Sequence, residues 1–188
     1  MRQVLNFILF QLGWFTCVLG AANNVAWLGP VAVLAIVIIH LAQSLRPSAE
    51  LKLVLSAMAL GMVTDSLLVA SGWLTYAGGS LTGYLAPFWI VAMWALFATT
   101  LNVTMRWLKG RVGLAILMGA IGGPMSYYGG QKLGAMVFIE PVLGLTALAI
   151  AWAVAMPLLV WLANRFDGVT PRGNADLTSL PWPVSSHA

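Results

Sequence analysis

The chain is short of charged residues. It has nine Lys and Arg and five Asp and Glu among 188 residues, or 7%, whereas soluble domains carry about 25%. So few charges cannot cover the surface of a water-soluble globule, and 61% of the residues are hydrophobic. The composition therefore excludes a soluble domain and predicts that lipid covers most of the surface.

Cysteine and the residue patterns of common active sites are also scarce. Cys17 is the only cysteine and lies in an apolar stretch, which excludes an internal disulfide and a thiolate metal site. His40 and His187 are far apart, and the chain has no HExxH motif and no carboxylate cluster. Nucleotide-binding fingerprints and the GxSxG elbow are missing as well. We therefore predict neither a metal nor a cofactor.

Six long apolar stretches dominate the chain. Each is close to the ~20 residues that cross a bilayer as a helix. We predict an all-α fold, a bundle of six transmembrane helices over residues 3–22, 27–44, 51–72, 84–107, 112–130 and 141–164. These spans make one transmembrane domain, 1–164. A polar tail, 165–188, follows it, and we expect this tail to be disordered.

The basic residues divide unequally between the two sides of this arrangement. Eight fall on one side: Arg2, Arg46, Lys52, Arg106, Lys109, Arg111, Arg165 and Arg172. Lys132 alone falls on the other. Because Lys and Arg beside spans stay cytoplasmic, we predict a multi-pass protein of the bacterial inner membrane with both termini cytoplasmic. The same rule accounts for the net charge of +4, so we expect no nucleic-acid partner.

Asp65 is the only acidic residue in the middle of a predicted span. A carboxylate at that depth costs at least ~2.5–3.5 kcal/mol, and such residues usually face the interior of the bundle. At ~1.5 Å per residue, Asp65 lies ~21 Å from the inner surface, and Ser126 of the fifth span lies at the same depth. Two interpretations are open: Asp65 anchors the fold through hydrogen bonds, or it is the centre of a functional site.

A polar segment of the fifth span would form the other half of that site. Ser126, Tyr127, Gln131 and Lys132 follow one another toward the outer surface. Lys132 can reach down along its flexible stem. If the third and fifth spans are neighbours, these four residues and Asp65 line one outer polar pocket.

Small residues surround Pro124 in the same segment. The pairs Gly119/Gly123 and Gly130/Gly134 have the spacing that lets two helices approach closely. Pro124 cannot donate to the carbonyl four residues earlier, which predicts a kink or a break. The segment is either a tightly packed, kinked helix or the wall of an outward-facing cavity floored by the buried carboxylate.

Asn6 in the first span and Asn102 in the fourth are the remaining polar residues of interest. Each lies in the inner half of its span, within a stripe of small and weakly polar residues. Such stripes hold membrane helices together. We predict a packing role for both residues and expect them to lie within hydrogen-bonding reach of each other.

Four motifs extend over nearly the whole chain short of the tail. They are Asn6-Phe-x-x-Phe-Gln11-x-Gly-Trp14, Thr64-Asp65-Ser66-Leu67, the run from Pro87 to Asn102 with Trp89, Trp94 and Thr99-Thr100, and the run from Gly122 to Ala135. In these motifs the chain resembles a group of small bacterial inner-membrane proteins catalogued only as a domain of unknown function. The resemblance carries no established activity, and it implies a role in envelope lipid metabolism.

Three functional hypotheses follow. In the first, the pocket around Asp65 binds or translocates a lipid-like or small amphipathic molecule. In the second, the chain is a membrane-embedded lipid-modifying enzyme with Asp65 as acid/base, although such chemistry usually needs more converging polar groups. In the third, it is a non-catalytic accessory subunit. The expected partners are the bilayer, a lipid or amphipathic ligand, and a second copy or another protein bound through helix faces.

Overall fold

Six α-helices make up most of the described chain. The computed structural model describes residues 1–79 and 82–171. The helices are α1 (Arg2–Ala22), α2 (Leu28–Ala42), α3 (Pro47–Ala70), α4 (Phe88–Leu101), α5 (Val112–Lys132) and α6 (Pro141–Arg165). A 3₁₀ turn (Arg106–Leu108) and two short strands, β1 (Leu74–Tyr76) and β2 (Met136–Phe138), complete the elements. The predicted all-α class and the number of helices are confirmed for these residues.

Several helices have the length and composition of membrane spans. Within the described residues α1, α3 and α6 are long and apolar enough to cross a membrane, and α2 and α4 are shorter apolar helices. The outer faces of the helices expose large apolar side chains, such as Leu34 (60% exposed), Leu67 (66%) and Ile150 (63%). Such a continuous apolar surface fits contact with lipid better than contact with water.

The fourth helix is shorter than its predicted span, 84–107. It begins at Phe88 and ends at Leu101. The hydroxyls of Thr99 and Thr100 donate to the carbonyls three residues earlier, both at 2.7 Å. Bonds of this kind compete with the helical ladder. After Leu101 the chain continues through turns into the 3₁₀ turn.

The helices pack as two groups. In the first, α1, α2 and α4 contact one another and α3 packs on α4. In the second, α5 packs closely on α6, which in turn contacts α3 and α4. Fully buried leucines such as Leu53, Leu96 and Leu159 fill the centre. We call the end that holds the start of α1, the α2–α3 connection and the 3₁₀ turn the basic end.

A two-stranded antiparallel ribbon closes the opposite end, which we call the ribbon end. Thr75 in β1 lies opposite Val137 in β2. Gly134 has a φ of +85° where the chain turns from α5 into β2, a conformation that favours glycine. We did not predict this ribbon, because three-residue strands carry no usable alternation pattern and their pairing joins distant parts of the chain.

The segment after α6 differs from the predicted disordered tail. Residues 165–188 were assigned to that tail, but Arg165 belongs to α6 and Gly168 donates its backbone N–H to Glu50 at 2.6 Å. Asp167 accepts hydrogen bonds from the backbone N–H groups of Val169 and Thr170, both at 2.9 Å, which is typical of a turn stabilised by its own aspartate. The prediction is corrected for residues 165–170; Arg172 and the rest of the tail, 172–188, lie outside the described residues.

Candidate functional site

Asp65 on α3 is the centre of a buried polar cluster near the ribbon end. Its side chain is completely buried. Oδ1 accepts hydrogen bonds from the hydroxyls of Tyr76 (2.5 Å) and Tyr127 (2.7 Å). Oδ2 accepts one from the indole N–H of Trp94 at 2.7 Å. The donors come from β1, α5 and α4, so this Asp65 cluster (Asp65, Tyr76, Trp94 and Tyr127) joins four elements at one carboxylate.

The local sequence explains how two of these donors reach the carboxylate. Gly61 lies one helical turn before Asp65, and a Cβ at this position would overlap the indole ring of Trp94. The glycine therefore lets the indole lie directly against α3. Tyr76 is the last residue of β1, and its pairing with Met136 in β2 holds it at the end of the bundle beside the carboxylate.

The predicted polar pocket is only partly assembled. Tyr127 contacts Asp65, whereas Ser126 accepts a hydrogen bond from the indole of Trp14 on α1 at 3.1 Å. Neighbouring residues of a helix point about 100° apart, so Ser126 and Tyr127 cannot both face α3. Ser126 lies on an exposed part of α5 and connects it to α1.

Gln131 and Lys132 take other partners. The side-chain oxygen of Gln131 accepts the backbone N–H of Phe138 at 2.8 Å, which ties α5 to β2. The ammonium of Lys132 lies 5.1 Å from the centroid of the Tyr128 ring, a cation–π contact. Among the ion pairs of the described residues, none joins Lys132 to Asp65. Lys132 lies five residues after Tyr127, which donates to Asp65. Five residues correspond to a rotation of about 140° around the helix, so Lys132 points away from Asp65.

A cavity of about 330 Å³ lies between α1, α4, α5 and α6. Its walls are formed by Phe10, Gln11, Trp14, Phe97, Met105, Met118, Gly119, Gly122, Gly123, Ser126, Trp152 and Met156. No charged side chain is among these lining residues. Met118, Gly122 and Ser126 are exposed on α5, so the cavity opens toward the outside of the bundle between α1 and α5. The eight-residue step from Met118 to Ser126 gives it a length of ~12 Å along α5.

No residue of the Asp65 cluster lines this cavity. Trp94 and Tyr127 line a smaller cavity of about 50 Å³. That cavity shares Trp14, Ser126 and Trp152, among others, with the larger one. Asp65 lines neither of the two cavities, and neither do Gln131 and Lys132. The expected cavity floored by Asp65 is therefore corrected: two donors to Asp65 line the smaller cavity, and the carboxylate itself lines neither cavity.

Two of the predicted packing glycines bring α5 and α6 together. A Cβ at Gly119 would overlap the backbone carbonyl of Trp152, and a Cβ at Gly123 would overlap its side chain. The other pair acts differently, since Gly130 lies beside Met136 and Gly134 forms the turn after the helix. The helix α5 continues through Pro124 without a break.

A second buried carboxylate, Glu50, lies at the basic end. It is completely buried in the first turn of α3. Oε2 lies 2.8 Å from Nε2 of His40, and Oε1 accepts hydrogen bonds from the side-chain amide of Asn102 (2.8 Å) and the backbone N–H of Gly168 (2.6 Å). A Cβ at Gly168 would overlap the carbonyl of Arg46, so glycine is required there. We call these residues the Glu50 cluster.

Asp167 connects the segment after α6 to the basic end. It pairs with Arg106, and its Oδ2 lies 2.8 Å from Nζ of Lys109. Burial alone would raise the pKa of Asp167, but the hydrogen bonds from Lys109 and from the Thr170 hydroxyl and backbone outweigh it. The pKa is therefore held well below its usual range, and the carboxylate is ionised at neutral pH.

Asn6 and Asn102 are buried but do not bond to each other. Asn6 donates to the backbone carbonyl of Thr99 at 3.1 Å and accepts a hydrogen bond from Thr104. Asn102 donates to Glu50. Both residues therefore join helices at the basic end, but through partners other than the one expected.

The sequence does not predict that Trp94, Tyr76 and Glu50 take part in buried polar contacts. Trp94 follows the start of α4 by six residues and Asp65 precedes the end of α3 by five, so both lie ~8–9 Å below the ribbon end. This shared depth was a signal for the contact, because the N–H of a buried tryptophan usually finds a hydrogen-bond acceptor. Nothing comparable marked Glu50, because it was assigned to the loop before the third span.

Comparison with known families matches residues 3–158 to the family model described as "Protein of unknown function (DUF2878)". No curated protein and no solved structure matches the chain.

Proposed function

We propose that this chain, which belongs to the family of proteins of unknown function DUF2878, binds a lipid-like molecule in the cavity between α1, α4, α5 and α6. We place it in a bacterial inner membrane, with six spans and both termini on the cytoplasmic side.

The distribution of charge supports this orientation. Arg106 and Lys109 meet Asp167 at the basic end, and Arg46 donates to the carbonyl of Thr170 there. Lys132 is at the other end of α5 from these residues. Basic residues beside spans stay cytoplasmic, which assigns the basic end to the cytoplasm and the ribbon end to the outer side.

The cavity is the single observation that carries the ligand-binding function. Its volume of about 330 Å³ falls within the usual range for small-molecule sites, which are mostly apolar with a few polar groups. Phe10, Phe97 and Met156 supply apolar walls, and Gln11 and Ser126 supply polar groups. The opening between α1 and α5 faces the surroundings of the bundle, from which a lipid could enter sideways.

The geometry of Asp65 favours binding over acid/base chemistry. Three donors occupy the two oxygens of a carboxylate that is completely buried. A catalytic acid or base must come within hydrogen-bond reach of its substrate. We therefore assign Asp65 a supporting role: it holds Trp94 and Tyr127, which line the smaller cavity beside the proposed site.

A filled cavity tests the proposal. At Gly122, which lines the cavity, an added Cβ meets no atom within 4 Å, so Gly122→Leu should place a side chain in the ligand's space. Gly113→Leu is the matched control, because it also lies on α5 in open space but does not line the cavity.

Both variants and the unchanged protein would be reconstituted in vesicles of phosphatidylethanolamine and phosphatidylglycerol and extracted in mild detergent. Native mass spectrometry then counts the lipid retained per chain. We expect Gly122→Leu to retain at least about fivefold less lipid, a difference of ~1 kcal/mol in binding, with the control unchanged. Equal retention by all three proteins at equal thermal stability would refute the proposal.

A further inference from the structure

The gap between α1 and α5 closes toward the ribbon end. The indole of Trp14 donates to Ser126 at 3.1 Å, and a Cβ at Gly129 would lie 3.6 Å from the same ring. Beyond the end of α5, a Cβ at Gly134 would lie 3.6 Å from the Cβ of Ala22 at the end of α1. The cavity therefore has its closed end beside Trp14.

The other end of the cavity extends toward the basic end. Phe10 on α1 and Met118 on α5 line it there, each closer to the start of its helix than Trp14 or Ser126. Met105, which follows α4 in the turns at the basic end, completes this part of the wall. Because Met118 is exposed, a hydrocarbon chain can enter sideways in the half of the bundle nearer the basic end.

Arg111 lies in line with this entrance. Its carbonyl accepts the backbone N–H of Ala115 at 2.9 Å, so it forms part of the first turn of α5. Met118 and Gly122 follow it by seven and eleven residues, which places all three within about 40° on one face of the helix. Gly122 is ~16–17 Å from Arg111 along α5, close to the ~15 Å that one leaflet contributes to the hydrocarbon core. A lipid with its headgroup at Arg111 would therefore reach the cavity with its chain.

Positive charge exceeds negative charge beside this entrance. Arg106, Lys109 and Arg111 lie close together in the chain, and Asp167 pairs with the first two. Arg111 is exposed and takes part in none of the ion pairs of the described residues. Basic residues at a membrane surface attract anionic lipids. The cavity has no charged residue among those that line it, so an acidic headgroup would stay outside it, because burying an unpaired charge is costly.

We propose that the ligand is an anionic lipid of the leaflet at the basic end, with its acidic headgroup at Arg111 and one hydrocarbon chain in the cavity. The end of the chain lies against Phe10 and Trp14. This inference rests on the proposed function. It adds the charge of the ligand, the side of the membrane from which it enters and the residue that selects it.

Lipid retention tests the inference with two headgroups on identical chains. The full chain would be reconstituted in vesicles of equal amounts of phosphatidylglycerol, which is anionic, and phosphatidylethanolamine, which has no net charge. After extraction in mild detergent, native mass spectrometry counts each lipid retained per chain. We expect the unchanged protein to retain about fivefold more phosphatidylglycerol than phosphatidylethanolamine, as one arginine beside the headgroup would give.

Four variants locate the lipid. Arg111→Gln should lose the preference because it removes the charge, whereas Arg111→Lys keeps the charge and should keep the preference. Lys132→Gln is the matched control, because Lys132 is also exposed but lies at the other end of α5. It should behave as the unchanged protein does. Gly122→Leu fills the cavity and should lower the retained phosphatidylglycerol at least about fivefold.

The outcomes separate this inference from the proposed function. If the unchanged protein retains both lipids equally and Gly122→Leu reduces both, the proposed function stands and the anionic headgroup is refuted. If the unchanged protein retains neither lipid, the proposed function fails and the inference fails with it.

The position of the headgroup has its own test. A preference that survives in Arg111→Gln, or that Lys132→Gln loses to the same extent, contradicts the placement at Arg111. A preference for phosphatidylglycerol that Gly122→Leu leaves unchanged would assign the lipid to the outer surface, and this result also overturns the inference.

Discussion

At the scale of single residues, the two fully buried carboxylates of the described part of the chain are satisfied in the same way. Asp65 receives three donors and Glu50 receives an amide, a backbone N–H and the ring of His40. An unpaired carboxylate in an apolar interior is very costly, so each one requires several elements to meet around it. Each carboxylate therefore organises one end of the bundle.

The first prediction concerns Asp65→Asn. The asparagine amide replaces one acceptor oxygen with an NH2 group, which then faces a donor group. At least one hydrogen bond is therefore lost, and two donors oppose each other. We expect a loss of about 1–3 kcal/mol in the free energy of unfolding. Tyr127→Phe, which removes one donor only, should lose about 1 kcal/mol. Thermal or denaturant unfolding in detergent measures both.

The Asp65→Asn variant also distinguishes a structural role of Asp65 from a direct role in binding or catalysis. If Asp65→Asn keeps full stability but no longer retains lipid or supports an activity, then the supporting role assigned to Asp65 is wrong and a direct role is favoured.

The second prediction concerns the pH dependence that Asp167 contributes. Its pKa is lowered in the folded state relative to about 3.9 in an unfolded chain. The stabilisation is therefore complete well above pH 4 and is lost as the pH falls below it. We expect Asp167→Asn to lower the melting temperature at pH 7 and the difference from the unchanged protein to shrink toward pH 3. A difference that stays constant with pH would show that Asp167 acts without its charge.

At the scale of elements, α5 has an unusual position. It packs closely on α6 and faces α1 across the cavity. At the ribbon end, Tyr127 and Gln131 hold it to Asp65 and β2. At the basic end the 3₁₀ turn before it is held through Arg106 to Asp167. Attachment at both ends allows the middle of α5 to form one wall of an open cavity.

The third prediction tests the contact between α5 and α6. Gly119→Ala places a Cβ against the backbone carbonyl of Trp152, which cannot move aside as a side chain can. We expect a destabilisation of about 1–3 kcal/mol. Gly113→Ala on the same helix meets no atom and should instead stabilise slightly, because alanine favours the helix by up to ~1 kcal/mol. The free energies of unfolding of the two variants, measured in the same detergent, test this prediction. Equal effects of the two substitutions would contradict the packing role of Gly119.

At the scale of the whole molecule, the two ends differ in chemistry. The basic end holds the ion pairs of Asp167 and the Glu50 cluster. The ribbon end carries the β1–β2 ribbon above the Asp65 cluster. This difference underlies the proposed orientation, in which the bias of Lys and Arg assigns the basic end to the cytoplasmic side.

The fourth prediction tests that orientation with the two ends of α5. Arg111 and Lys132 are exposed or partly exposed at opposite ends of this helix, and the native Cys17 is completely buried. We expect Lys132→Cys to react with a membrane-impermeant maleimide applied to intact cells. Arg111→Cys should react only after the membrane is permeabilised. The reverse pattern would overturn the proposed orientation, and labelling of both from outside would refute the proposal that α5 spans the membrane.

The sequence alone determined the features that depend on composition and on local periodicity. The apolar stretches between turn residues predicted six helices, all but the fourth close to their observed bounds, and Gly119 and Gly123 marked the close approach of α5 to α6. The burial of Asp65 followed from the high cost of a carboxylate in lipid, because that cost does not depend on which helices are neighbours. Local sequence preferences are enough to predict such features.

Only the tertiary structure decided which distant residues meet. Trp94 and Tyr76 bind Asp65 in place of Lys132, because rotation around each helix and the nonlocal β1–β2 pairing set those contacts. The cavity arises where α1 and α5 do not pack against each other, and the sequence of a single helix does not predict that gap. In the sequence, Asp167 and Gly168 resemble the start of a polar tail. In the structure they contact Glu50, Arg106 and Lys109, which lie far from them in the chain.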